Sequence, residues 1–214
     1  MPVQPQCYWL SSMLFAAWVC SANGFSRAQE ELDAIVVGAG IAGLSAASEM
    51  GAAGLRVTVI DIASVFGGHA AMSQGGLAIV DTPQQRAQGI EDSPELAKRD
   101  FRTWGDDPDG AWVDYYCDHS RRDIYDWLVG LGVKFESALP APGNSVDRTH
   151  QPIGRGLGLV TPIYRKCLDH PNVRFLWNTR AVKLIVRQQN YHPIEQNTID
   201  WIIVCSHKPV ISAM

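Results

Sequence analysis

Short, unbroken apolar runs alternate along this chain with stretches of helical length. Ala34 to Val37 (A-I-V-V) carries no polar position, the pattern of a strand buried on both faces. Leu44 to Met50, with Ala46 and Ala47, reads as a helix of small residues. The run V-T-V-I then ends on Asp61 as a second strand, and N-V-R-F-L-W, between Pro171 and Trp177, forms a third. Between the second and third strands the pattern is helical. Ser93 to Trp104 opens S-P-E-L, an N-cap followed by a first-turn proline and an acid. In Pro108 to Leu131, the residues Trp112, Tyr116, His119, Ile124, Trp127 and Leu131 recur close to one helical face. Gly130 and Gly132 mark its end. That stripe predicts core packing, with His119 a hydrogen-bonded structural histidine. The whole pattern predicts an α/β fold: a three-layer, Rossmann-like domain with a parallel sheet and a helical insertion over about residues 84–147.

The turn after the first strand reads G-A-G-I-A-G, placing Gly38, Gly40 and Gly43 in G-x-G-x-x-G order. The first glycine permits a tight turn, the second a close approach of backbone to pyrophosphate, and the third close packing of helix on strand. The helix N-terminus offers N–H groups and a positive dipole end to phosphate. Asp61, at the end of the second strand, stands where a carboxylate can accept hydrogen bonds from a ribose. Strand, small-residue helix and terminal acid all agree, so the sequence predicts dinucleotide binding through Gly38, Ala39, Gly40, Ala42, Gly43, Asp61 and Ile62. The alternative is an ordinary β-turn-α unit without a ligand.

Composition narrows the field. The 214 residues are 46% hydrophobic and 19% charged with a net charge of −4, which fits a globular chain and gives nucleic acid no electrostatic footprint. Five cysteines, at 7, 20, 117, 167 and 205, show neither C-x-x-C nor a histidine at metal-ligand spacing. No metal site is expected, and Cys117 and Cys167 read as small core residues. Residues 1–28 stand apart. Tyr8 to Cys20 is an apolar run of signal-peptide length, too short for a comfortable membrane span, and small residues follow it. The start, M-P-V-Q-P-Q, lacks the usual positive charge. The expectation is a signal peptide and a secreted or periplasmic protein; the alternative is a cytoplasmic protein with an N-terminal extension.

A second glycine cluster follows Asp61: V-F-G-G-H-A-A-M-S-Q-G-G-L-A-I-V over Val65 to Val80. It resembles the flavoprotein family that contains fumarate reductases, the succinate dehydrogenase flavoprotein subunit and 3-ketosteroid dehydrogenases. W-L-V-G-L-G-V-K-F is similar to the W-L-x-x-L-G-V of that family, and R-T-H-Q-P-I-G-R-G-L-G-L-V, from Arg148, to its H-R-P-x-G-G segment. A flat ring can lie against backbone only where side chains are missing, and Gly67, Gly68, Gly75 and Gly76 supply such a surface. The resemblance implies FAD rather than NAD(P), held also by His69, Ala70 and Ser73, with the backbone at Val182 near the adenine. His69 has the spacing to Q-G-G of a branch in which histidine bonds covalently to the flavin. Gly67-Gly68 before it suit the non-covalent branch, which is the favoured form.

By the same resemblance the activity is FAD-dependent oxidoreduction at a CH–CH or C=C bond, by hydride transfer at flavin N5. The substrate is an unsaturated dicarboxylate or a steroid-like enone, and the electron-transfer partner is unidentified. His150 and Arg155 are the weak candidates for substrate contact, arginine because its fork suits carboxylates. The resemblance covers about residues 32–187. Residues 188–214 match nothing in the family pattern and contain one strand, Thr198 to Val204. The domain over 29–187 is therefore read as a partial FAD-binding one, incomplete at its C-terminus and lacking the family's cap domain, and the chain as given is expected to be catalytically incomplete. It is expected to have an open sheet edge and to be prone to association. Alternatives are a non-catalytic FAD-binding remnant and an NAD(P)-binding module.

Overall fold

The computed structural model describes residues 32–106 and 108–183, and the backbone of 201–204. The segment 1–28 and most of 188–214 lie outside the described residues. β1 (Ala34–Val37), α1 (Ile41–Ala52) and β2 (Val57–Ile60) form the opening unit. After it come α2 (Gly68–Met72), β3 (Leu77–Ala78), α3 (Pro83–Ala87), α4 (Pro94–Trp104), α5 (Gly110–Ser120), a π-helical turn (Arg121–Asp126) and α6 (Trp127–Gly130). β4 (Phe135–Leu139), β5 (Thr149–Pro152), α7 (Arg155–Leu168), β6 (Val173–Leu176) and β7 (Trp201–Val204) complete the order.

The main sheet runs β6-β2-β1-β7, all parallel, with Ala34 opposite both Val57 and Trp201. Numbered along the chain these strands lie in the order 3-2-1-4, that of a doubly wound nucleotide-binding half. Residues 201–204 supply a fourth strand beside β1, and β6 and β7 are the two edges of this sheet among the described residues.

The apolar run of β1 conceals an alternation. Ala34 and Val36 are fully buried, whereas Ile35 and Val37 are half-buried. The sealed face receives Leu44 and Ala47 of α1 and Leu159, Val160, Ile163 and Cys167 of α7. Each large aliphatic side chain there contributes about 1.5–3 kcal/mol by leaving water. Cys167 donates its thiol to the Leu44 carbonyl at 3.3 Å, and burial pushes its pKa up to about 12. It is a core residue, as is Cys117.

A second, antiparallel sheet runs β3-β5-β4, with Leu77 opposite His150. Around it lies the helical insertion, and its caps follow the sequence. Ser93 accepts the Leu96 N–H ahead of Pro94, and Thr82 with Gln85 forms a complete capping box on α3. The aromatic stripe of α5 is only half realised. Trp112 is 71% exposed, and the buried positions are Cys117 and Ser120. The π turn adds a residue to the helical phase, a rotation of about 100°. Ile124 within the turn, and Trp127 and Leu131 beyond it, do pack against the core. His119 lies on the outer surface, its Nδ1 2.8 Å from the Tyr115 carbonyl and its ring stacked on Tyr115.

Candidate functional site

The first glycine loop is built by close backbone contacts. Gly38 has φ +107°, and its N–H donates to Ile60 O at 2.8 Å, tying the turn to β2. A Cβ on Gly43 would stand 1.8 Å from Gly38 O, so only glycine lets α1 start this close to the strand. A Cβ on Gly40 would meet nothing within 4 Å, which leaves open space at the N-terminus of α1. The first-turn N–H groups have no intrahelical acceptors and address that space with the positive end of the helix dipole. Ala39 is buried beneath the loop and Ala42 is exposed on the first turn.

Asp61 does more than the sequence suggests. Its Oδ2 accepts the Ala39 N–H at 2.6 Å and its Oδ1 accepts the Ala63 N–H at 2.7 Å. The carboxylate therefore braces the glycine loop from beneath, while each oxygen retains acceptor capacity for a ribose hydroxyl. Ile62 beside it is 55% exposed. The segment after β6 is stitched to the same turn: Thr179 donates to Asp61 O at 2.8 Å and Asn178 to Ala63 O at 3.1 Å. Val182, further along, is 83% exposed.

The second glycine loop rests directly on the first. Gly67 has φ +102° and donates its N–H to Ala39 O at 2.7 Å, and Gly40 and Gly67 form a parallel bridge. Gly68, at φ +50°, is exposed, and a Cβ there would meet only Gly40 Cα, at 3.6 Å. Gly40 and Gly68 thus present one continuous strip of backbone without side chains. His69 is exposed on α2, and Ala70 is half-buried. Ser73 donates its hydroxyl to Ala70 O at 2.8 Å and accepts the Gly75 N–H at 3.1 Å, so its hydrogen is spent on the loop itself. Gly75, at φ +74°, is buried. A Cβ there would lie 3.0 Å from Arg155 C and Gly156 N, so this glycine admits α7 rather than a flat ligand. Gly76 remains exposed.

His150 and Arg155 part company. His150 is fully buried in β5, its Nε2 2.7 Å from Thr82 Oγ1 and its Nδ1 2.8 Å from the Arg148 carbonyl. Tyr125 and Phe135 meet the imidazole edge-on. Burial pushes its pKa down, only partly offset by the carbonyls of Arg148 and Leu77. His150 is thus a neutral interior group with both nitrogens engaged. Arg155 opens α7 with φ +56° and is exposed.

The residue that sequence reasoning missed is Arg148. It is fully buried and pairs with Asp92 at 2.7 Å and Asp100 at 2.9 Å. Asn144 accepts from it as well, and Gln85 donates to Asp92. Burial raises the pKa of both acids, but hydrogen bonds outweigh it and hold both below the usual carboxylate range. Those bonds come from Arg148 and Gln85 for Asp92, and from Ser145 and Arg148 for Asp100. The partners lie far apart in sequence, and no local pattern announces them.

What decides the ligand is a match over residues 33–199 to the family described as FAD binding domain. The chain belongs to this FAD-binding family. A KsdD-like steroid dehydrogenase of Mycobacterium tuberculosis is 40% identical over 172 residues, covering 72% of this chain and 30% of that protein. A fumarate reductase (cytochrome) of Shewanella frigidimarina is 34% identical, covering 75% of this chain and 28% of its own length. Among solved structures, the open conformation of a flavocytochrome c3 fumarate reductase superposes with TM-score 0.70 at 32% identity, covering 74% of this chain and 28% of that one. The 3-ketosteroid-delta4-(5alpha)-dehydrogenase of Rhodococcus jostii RHA1 gives TM-score 0.64 at 28% identity, covering 75% and 40%. The chain thus spans less than half the length of these relatives.

FAD, rather than NAD(P), is the dinucleotide this fold takes. The residues present fit it: open backbone at Gly40 for the pyrophosphate, Asp61 for the ribose, and the bare strip through Gly68 for a flat ring. Among the described residues no three potential ligands cluster to hold a metal ion, and no helix is long and apolar enough to cross a membrane.

Proposed function

We propose that this chain is the flavin-holding part of an FAD-dependent oxidoreductase acting on a C=C or CH–CH bond. The observation that carries the reading is the Gly67 N–H to Ala39 O hydrogen bond, which joins the phosphate loop and the second glycine loop into one surface. A bound FAD would supply hydride transfer at N5. The protein's own part is positional. The first turn of α1 would neutralise phosphate charge, Asp61 would hold the ribose and the loop together, and the bare strip of Gly40 and Gly68 would exclude side chains from one face of the ring.

The substrate classes acted on by the relatives, a steroid-like enone or an unsaturated dicarboxylate, are both carried as proposals. Purified protein with one equivalent of FAD should turn over 3-ketosteroid or fumarate in a dye-coupled assay. FAD binding with no turnover of either would leave cofactor holding alone. That second reading is favoured by His150, which is sealed in the interior. Non-covalent attachment is proposed, with acid precipitation as its test: flavin retained on the polypeptide would instead mark His69. Export through residues 1–28 is a separate proposal, checked by the N-terminal sequence of the protein from its native host.

A further inference from the structure

A side chain outside both glycine loops holds the second one. Gln151, on β5, donates its Nε2 to the Gln74 carbonyl, 77 positions earlier in the sequence. A carbonyl only accepts, so the amide nitrogen of Gln151 must face it and Oε1 points elsewhere. Gly76 makes this approach possible. A Cβ there would lie 3.1 Å from Thr149 Cγ2 and 3.5 Å from Gln151 Oε1. Gln151 is half-buried, whereas Gln74 and Gly76 are exposed.

The pairing of β3 with β5 decides where the free groups of the loop point. Leu77 lies opposite His150 and Ala78 opposite Thr149, and the Ile79 N–H donates to Arg148 O at 3.1 Å. Residues of an antiparallel strand turn their polar backbone atoms alternately toward and away from the partner strand. Leu77 and Ile79 turn toward β5, so Gly76 and Ala78 turn outward, along the open edge of the β3-β5-β4 sheet. There the Tyr116 hydroxyl donates to Ala78 O at 2.8 Å. The Gly76 N–H meets no acceptor among the described residues. The peptide just before it is fixed at both polar atoms, Gln74 O by Gln151 and the Gly75 N–H by Ser73 Oγ at 3.1 Å.

We infer that Gln151 is a positioning residue for the flavin. By anchoring the Gln74-Gly75 peptide it sets the plane of the loop and holds the Gly76 N–H outward, as a donor to the acceptor atoms of a bound flavin ring. The inference rests on the FAD reading above and gives a role to a side chain that neither glycine motif contains. Without the amide the Gln74 carbonyl loses its partner and the loop gains other conformations. The fraction of chains ready for FAD then falls, and the apparent affinity falls with it.

The test is a calorimetric titration of the full chain with FAD, with the visible circular dichroism of the saturated complex as the signature of the ring's seat. Gln151→Met keeps an unbranched side chain of similar length and removes the donor. It should weaken FAD by about 2- to 10-fold, the worth of one hydrogen bond, and alter the dichroism. Gln151→Arg restores a donor. It should bring affinity back to within about 2-fold of native, and recover the native dichroism, in about 0.5 M salt, where attraction of the new charge to the phosphates is screened. In the native chain the Gly76 amide should exchange with solvent more slowly once FAD is bound, read by NMR. A Gln151→Met chain that melts earlier yet keeps native affinity and dichroism would make the residue merely structural and overturn the inference. So would a Gln151→Arg chain no better than Gln151→Met, or a Gly76 amide indifferent to bound FAD. A native chain that takes up no FAD would overturn the underlying reading as well, so the two failures are told apart. If Gln151→Met fails to fold, Gln151→Ser, too short to reach the Gln74 carbonyl, takes its place with the same expected loss.

Discussion

At the residue scale, function rests on contacts that allow no side chain and on carboxylates that hold backbone. A Cβ at Gly43 would be driven to 1.8 Å from Gly38 O. Gly43→Ala should therefore shift α1 away from the loop and weaken FAD by about 10- to 100-fold, read by flavin fluorescence titration, since overpacking costs about 1–3 kcal/mol. Asp61→Asn sets an amide against the Ala39 N–H, which Oδ2 now accepts at 2.6 Å. It should lower FAD affinity by a similar factor, because an unmet buried donor costs about 1–3 kcal/mol. The glycines and Asp61 were legible as residue types at a spacing. The bracing role of Asp61 was not, because it depends on the rotamer rather than the position. His150 shows the opposite failure. Its loop-like neighbours in sequence suggest exposure, yet pairing with β3 and the contact to Thr82 take it inside.

Among the elements, α7 sets the second glycine loop in place, and the buried ion cluster ties α4 to the segment that enters β5. Gly156 donates to Ser73 O at 3.1 Å, and a Cβ on it would lie 1.9 Å from Ala70 O. Gly156→Ala should separate α7 from α2 and reduce FAD affinity by about 10-fold or more, an overpacking cost of the same order. The measurement is a titration made alongside a thermal melt. Arg148→Met strands two buried carboxylates and should cost about 3–5 kcal/mol at pH 7 in denaturant unfolding.

The pH dependence of that loss has a definite sign. In the native chain Asp92 and Asp100 have depressed pKa values, so their contribution is present above the unfolded value of about 3.9 and fades as pH falls through the folded values. Without Arg148, burial raises those pKa values. The variant should then gain stability as pH drops from 7 towards 5, where the native chain does not. A variant that loses stability in parallel with the native chain would contradict the pairing. The α4 start, the β1-α1-β2 unit and β6 could be read from period and capping. The π turn could not, since it alters helical phase without changing composition, and with it went the burial of Trp112.

For the whole molecule, a parallel sheet exposes whatever is not covered, and here the order β6-β2-β1-β7 closes one side of β1 with a strand from the divergent tail. Removing residues 188–214 should bare that edge and shift the chain to soluble aggregates in size-exclusion chromatography. FAD should act in the opposite direction. At a hundredfold excess over its dissociation constant it should add about 2.7 kcal/mol to the stability of the folded chain. The fold class and the cofactor were legible from one end of the sheet to the other. The place of the tail was not, because a strand is assigned to a sheet by its partners and not by its own residues.

The central claim is that two glycine loops, bonded through Gly67 and Ala39, make one surface for FAD. Its most direct measurement is a calorimetric titration of the purified chain with FAD, repeated on Gly43→Ala. The account predicts one FAD per chain, a yellow complex, and a loss of about 10- to 100-fold in the variant. A folded native chain that takes up no FAD, or a variant that binds it equally well, would contradict it.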